Sequence, residues 1–236
     1  MDTVILTGNT NTKIVFVTKA SIKKVHTFRT DNIYRELKKI QTTGNIYLAS
    51  VVPEATKVIK KFFPSVKEIT YRNFPFPIKV KHPEKLGIDR LLNAAGARVL
   101  FNSDCLVIDA GSAITIDLVE KDGSFQGGVI FPGYHLLFMS LKNLALLKNV
   151  KVKKPAGVIG KDTSEAVGSG LTWGLSFLIT GYINHLKSDY PDLKIVFTGG
   201  YGRALKNLVN SGLYQKNLTI TGIKVVIYGE KENWSL

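Results

Sequence analysis

A segment near the start of the chain returns, at a constant offset of 103 residues, near its middle. Residues 4–17 read VILTGNTNTKIVFV and residues 107–120 read VIDAGSAITIDLVE. Val4 answers Val107, Ile5 answers Ile108, Gly8 answers Gly111 and Thr12 answers Thr115. In each copy a run of β-formers meets a glycine turn and then a second, alternating run, the pattern of two strands joined at a tip. The second copy continues the pattern. Ala113–Val119 ends at Lys121-Asp122-Gly123, a hairpin signal, and Phe125–Phe131 runs into Pro132-Gly133. Cys105 to Gly133 is therefore expected to be a three-stranded meander with Asp109 at a strand tip. A glycine turn gathers backbone N–H groups, and Asp109 adds a carboxylate, a combination that suits a phosphate and its counter-cation. Two such halves constrain the chain to an α/β fold in two parts, 1–102 and 103–236, with a nucleotide in the cleft between two phosphate-facing turns. The copies differ at one place that matters: Leu6 stands where the second copy has Asp109.

Between the two copies the pattern predicts a strand at Val25–Phe28 and a helix from Ile33 to Ile40 after Thr30-Asp31-Asn32. A strand at 45–50, a helix from Pro53 to Phe63 and a helix from Pro83 to Leu100 follow. After the meander come helices at Tyr134–Leu147, Glu165–Lys187 and Tyr201–Asn210, with strands at Lys194–Phe197 and Gly222–Tyr228. The helix from Glu165 carries Gly168, Gly170, Gly174 and Gly181, which suits close packing against another helix, such as one of a second copy.

Composition narrows the function classes. With 236 residues, 44% hydrophobic and 21% charged, the chain has an ordinary globular make-up. No apolar run approaches the ~18–20 residues needed to span a bilayer, and Asp2 with an early Gly-Asn does not suit a signal peptide, so a cytoplasmic protein is expected. Cys105 is the only cysteine, which excludes an intrachain disulfide and a cysteine zinc site. His26, His82, His135 and His185 lack metal-ligand spacing. The net charge is +14, but the lysines are scattered rather than gathered on one aromatic-laced face. Small anions such as nucleoside triphosphates are thus favoured as partners over nucleic acid.

Seven short motifs in order carry a family resemblance. They are Gly8-Asn9-Thr10-Asn11, Ser50-Val51-Val52-Pro53 and Leu86-Gly87-Ile88-Asp89-Arg90, then Asp109-Ala110-Gly111-Ser112-Ala113 with Thr115 and Asp117. Gly127 to Gly133, Gly160-Lys161-Asp162-Thr163 and Thr198-Gly199-Gly200 complete the set. Together they resemble the type III pantothenate kinases of the acetate and sugar kinase, Hsp70 and actin superfamily. The resemblance implies two ribonuclease-H-like domains, a homodimer, and ATP-dependent phosphorylation of pantothenate with Mg2+ and a monovalent cation, K+ or NH4+. It also implies roles for particular residues. Asp89 matches the general base, and Gly87, Ile88, Asp89, Arg90 and Thr163 the pantothenate site, with Arg90 suited to a carboxylate. Leu6, Thr7, Gly8, Asn9, Thr10, Asn11, Thr12 and Lys13 match the first phosphate loop, Ser112 a further ATP contact, and Asp109 the monovalent-cation ligand. Asp117 is expected to be a strand-end polar residue.

Two positions depart from the family pattern. Leu6 replaces an aspartate expected to orient Mg2+ or its waters, and Val80 replaces a tyrosine of the substrate pocket. Besides a working kinase, the sequence therefore leaves open a catalytically impaired relative with a regulatory or binding role, and a kinase with another acceptor.

Overall fold

The computed structural model describes residues 1–229. One topology is built twice. In the first sheet β1 (Asp2–Thr7), β2 (Asn11–Val17) and β3 (Ile22–Arg29) form an antiparallel meander. β4 (Ile46–Ser50) then lies parallel to β1, and the short β5 (Lys67–Glu68) parallel to β4. In the second sheet β6 (Cys105–Ala110), β7 (Ala113–Val119) and β8 (Phe125–Pro132) repeat the meander, β9 (Lys194–Thr198) lies parallel to β6, and β10 (Leu213–Tyr214) parallel to β9. The strand orders, β3-β2-β1-β4-β5 and β8-β7-β6-β9-β10, are the same path. The expected duplication of ribonuclease-H-like α/β halves is thus present.

Each unit has its own core. In the first, Ile5, Ile14 and Leu48 of the sheet pack with Ile33 and Leu37 of α1 (Ile33–Leu37) and Ile59 of α2 (Pro53–Phe62). Pro53 at the start of α2, Glu54 in its first turn and Lys60-Lys61 in its last suit the helix ends and dipole. In the second, Leu106, Ile108, Ile114, Ile116 and Phe197 pack with Leu175, Ile179 and Ile183 of α5 (Thr163–Lys187) and Leu205 of α6 (Gly202–Val209). α5, 25 residues, is long and apolar enough to cross a membrane, but one of its faces is taken up by this core. Cys105 is fully buried, and burial pushes its thiol up to about 12, as a core cysteine requires.

Three expectations are corrected. The helix expected from Pro83 is interrupted: Pro83–Lys85 is a single 3-10 turn, and α3 runs Ile88–Phe101. The helix expected over 134–147 stops early, as α4 (Tyr134–Leu141) and a 3-10 turn at Ala145–Leu147. The segment 222–228, expected as a strand from its Ile and Val content, lies in α7 (Leu218–Tyr228). Leu218, Ile220, Ile223 and Val225 are buried there, and an apolar helix buried on most sides overrides β-propensity. α7 also falls in with the first half of the chain. Among the described residues, Met1–Leu100 with residues 219–229 form one compact unit and Phe101–Leu218 the other, whereas the division expected from the sequence puts α7 in the second half, 103–236. The reason is local: Thr219 donates to Asn93 Oδ1 of α3 at 2.7 Å, and Tyr228 donates to Asp2 at the start of β1.

Candidate active site

The first turn joins β1 to β2. Gly8 N–H donates to Asn11 O at 3.0 Å, closing the tip. Thr30, buried just beyond β3, braces it from outside: its hydroxyl donates to Gly8 O at 2.7 Å and its N–H to Thr10 O at 3.0 Å. Its hydroxyl also meets that of Thr12 at 3.1 Å. Sequence reasoning placed Thr30 in a helix start and missed this brace, because nothing local signals a contact 20 residues away. The residues expected to hold ATP separate here. Asn9, Thr10, Asn11 and Lys13 are exposed, Leu6 and Gly8 are half-buried, and Thr7 and Thr12 pair with each other inside. Thr7 Oγ1 is buried without a hydrogen-bond partner.

The second turn joins β6 to β7 and is one residue shorter. Leu6 is level with Lys13 across the first hairpin, whereas Asp109 is level with Thr115 across the second. The constant offset therefore holds along the first strand of each copy and slips by one on the second. Gly133 N–H donates to Ser112 O at 2.9 Å, and Tyr201 N–H to Ala110 O at 2.9 Å. Gly199 has φ +84°, and a Cβ built there would lie 2.3 Å from Asp109 Oδ1 and 2.6 Å from Ala110 O. Glycine is thus needed both for the backbone conformation and for the carboxylate to lie against the chain. Asp117 lies mid-strand in β7, buried against Gly128, rather than at a strand end.

The donor set at the second turn fits a weakly demanding cation. Asp109 is flanked in register by Thr115 and Thr198, and Thr115 Oγ1 is buried without a hydrogen-bond partner. No cluster of three His, Cys, Asp or Glu suited to a metal occurs among the described residues. One carboxylate with hydroxyl and carbonyl oxygens suits a hard ion such as K+ rather than a transition metal. The first turn offers no carboxylate at Leu6.

Asp89 lies in the first turn of α3, after the break at Leu86-Gly87. Arg90 N–H donates to Asp89 Oδ1 at 2.9 Å. A Cβ on Gly87 would lie 2.6 Å from that oxygen and 3.7 Å from the Val51 side chain. Val51 N–H in turn donates to Thr7 O at 3.0 Å. The Leu86-Gly87 break before Asp89 therefore lies near the end of β4, which runs beside β1. Burial raises its pKa above the ordinary aspartate value, opposed in part by the Arg90 N–H and the Arg90 charge. The structure thus groups Gly87, Ile88, Asp89 and Arg90 beside the end of β4.

Thr163 belongs to the second unit. Asp162, not Thr163, caps α5, accepting from Glu165 N–H at 2.8 Å. The hydrogen bond to Glu165 and the Lys153 ion pair at 2.9 Å hold Asp162 below the usual carboxylate range. Thr163 at the next position is exposed at the rim of a cavity of about 630 Å3 between α4 and α5.

Comparison with known proteins adds a family. A family model described as type III pantothenate kinase matches residues 4–185. A type III pantothenate kinase of Sulfurihydrogenibium sp. is 30% identical over 92% of this chain and 95% of its own length. That of Maricaulis maris is 40% identical over 62% of this chain, and the match spans 58% of the relative's length. A solved structure from Campylobacter jejuni, described as a Baf family transcriptional activator, superposes with a TM-score of 0.68 at 26% identity, covering 95% of this chain and 96% of that one.

Proposed function

The chain belongs to the type III pantothenate kinase family, which phosphorylates pantothenate in coenzyme A biosynthesis, and from that membership we propose that it transfers the γ-phosphoryl group of ATP to pantothenate. The observation that carries this reading is Asp89, a carboxylate of raised pKa in the first turn of α3, just after a glycine that lies near Val51 at the end of β4. In the reaction the pantothenate hydroxyl oxygen bonds to the γ-phosphorus. The bond to the β–γ bridging oxygen breaks, ADP leaves, and Asp89 takes the hydroxyl proton, giving 4'-phosphopantothenate. Arg90 pairs with the pantothenate carboxylate, with Gly87 and Ile88 shaping the same turn, and Thr163 offers a hydroxyl to the substrate.

Leu6 to Lys13 and Ser112 line the nucleotide phosphates. Mg2+ enters with ATP. Asp109, with the Thr115 hydroxyl, would hold K+ or NH4+, whose charge would offset that of the phosphates. The enzyme works in the cytoplasm as a homodimer. In support of a dimer, Gly170, Gly174 and Gly181 share one stripe of α5 with half-exposed Phe177, and a Cβ on any of the three glycines would meet nothing within the chain.

The test is direct. Purified protein with ATP, Mg2+, K+ and pantothenate is expected to form 4'-phosphopantothenate. Product no greater than that of an Asp89→Asn control would overturn the kinase reading in favour of a binding role. Product from another alcohol but not from pantothenate would move the acceptor and implicate Val80.

A further inference from the structure

A cavity of about 500 Å3 opens on the first unit, away from the first turn. Its floor is buried Phe16 of β2 and half-buried Ile40, just beyond α1. Lys23, Lys24 and His26 of β3, with Lys39, form its rim. Thr3, Phe16 and Lys24 are level with one another across β1, β2 and β3. Thr3 lies four residues before Thr7, about 14 Å at the strand rise, so the cavity and the first turn lie toward opposite ends of the sheet.

Consecutive residues of a regular strand face opposite sides of the sheet, yet Lys23 and Lys24 line one cavity. The ladder shows why. Val17 pairs with Ile22 and Phe16 with Lys24, so Lys23 is an extra residue in a bulge. Lysines on an edge strand such as β3 can serve simply to keep other strands from pairing there. That role needs neither the bulge that gives both lysines to one cavity nor Lys39, which comes from outside the sheet.

The charge around the cavity is one-sided. No carboxylate lines it among the described residues. Lys23 and Lys24 form no ion pair among the described residues. Glu36 accepts from Lys39 at 3.0 Å, but it also pairs with Arg35 at 3.0 Å, so it does not cancel the charge of the rim. Asp2 is level with Val17, hence on the other face of the sheet from Phe16, and it accepts from Asn45 and Tyr228. Ammonium groups over an apolar floor suit an anion with an apolar body. Lysine binds phosphate as a point charge, whereas planar carboxylates favour arginine, and no arginine lines the cavity. We propose that this cavity is a second ligand site, separate from the kinase site, for an organic phosphate. The phosphate lies on Lys23, Lys24 and Lys39, and a ring or short apolar body rests on Phe16 and Ile40 beside His26.

The probe is phenyl phosphate, largely a dianion at about pH 7.5, titrated by calorimetry into the full chain. It is expected to bind more tightly than inorganic phosphate, and phenol is expected not to bind. Lys24→Gln with Lys39→Gln should weaken phenyl phosphate about tenfold, the worth of two exposed charge contacts. Lys121→Gln with Lys187→Gln removes the same charge from exposed positions of the second unit and should leave the affinity within about twofold, as should Lys13→Gln at the first turn. Equal weakening by the Lys121 and Lys187 pair would reduce the effect to net charge and overturn the proposal. Weakening by Lys13→Gln alone would move the probe to the first turn and overturn it too. Inorganic phosphate binding as tightly as phenyl phosphate would remove the apolar floor from the site. Unchanged binding in the Lys24 and Lys39 pair, with new self-association, would leave the lysines as guards of the edge strand and nothing more. Pantothenate turnover enters none of these readings, so the failure of either proposal leaves the other standing.

Discussion

As the proposed base, Asp89 carries two conflicting demands. A base must be ionised at working pH, yet burial disfavours its charge and the fold binds its proton more tightly than the unfolded chain does. The sign follows from that. Below the ordinary aspartate pKa both states are protonated and nothing is lost. As pH rises from there to the raised folded value the chain loses stability, and above it the loss is constant. Asp89→Asn removes the buried charge while keeping the shape. It should therefore raise thermal stability at pH 7, on the order of 1 kcal/mol, and flatten the slope in that acidic window. The same change should lower kcat by ~10²–10⁴, the usual worth of a positioned base. Thermal denaturation across pH alongside turnover checks both, and a variant that lost activity and stability together would speak against the buried-base account. The acid limb of kcat/KM in the native chain should lie above the ordinary aspartate value. Asp89 and Asp109 are singled out in the sequence by the short motifs that hold them. Thr30 was not, since its bonds to Gly8 and Thr10 depend on where β3 ends.

At the level of elements, the hairpins were legible and the last helix was not. Alternation with glycine turns specifies a strand pair locally, so β1–β2 and β6–β7–β8 emerge from the pattern alone. What the pattern hides is register: a single residue of turn length decides whether Thr12 or Lys13 is level with Leu6, and only the paired strands show which. α7 fails for another reason. Its ITGIKVVIY composition favours a strand, and its helical state is imposed by what it packs on. Gly222 lies so close to α3 that a Cβ there would sit 1.7 Å from Leu92 O. Gly222→Ala is accordingly expected to push α7 off α3 and cost roughly 1–3 kcal/mol, despite alanine's better helix propensity. Denaturant unfolding measures this. A stabilised Gly222→Ala would show that α7 is not seated against Leu92. Because α7 belongs to the unit that carries Asp89, turnover should fall along with stability.

For the whole molecule, the duplication explains economy and asymmetry together. One topology used twice supplies two turns, and divergence at a few tip residues gives them different chemistry without disturbing either core. The surface then sets how the molecule meets its ligands and its own kind. With a net charge of +14, anionic substrates should be drawn in at a rate that falls as salt rises, an effect reaching ~10 Å at 0.1 M ionic strength. The stripe on α5 supplies the sharper prediction. Gly174→Ala and Gly181→Ala face open space within the chain and add helix propensity, so in an isolated chain each should stabilise by about 1 kcal/mol. Where a second copy lays a helix against that stripe, the added methyls hold the backbones apart. The double variant is thus expected to move toward monomer in sedimentation, with the dimer weakened at least tenfold, while the monomer unfolds at higher temperature than before. A more stable protein of unchanged mass would show that the glycines pack against nothing.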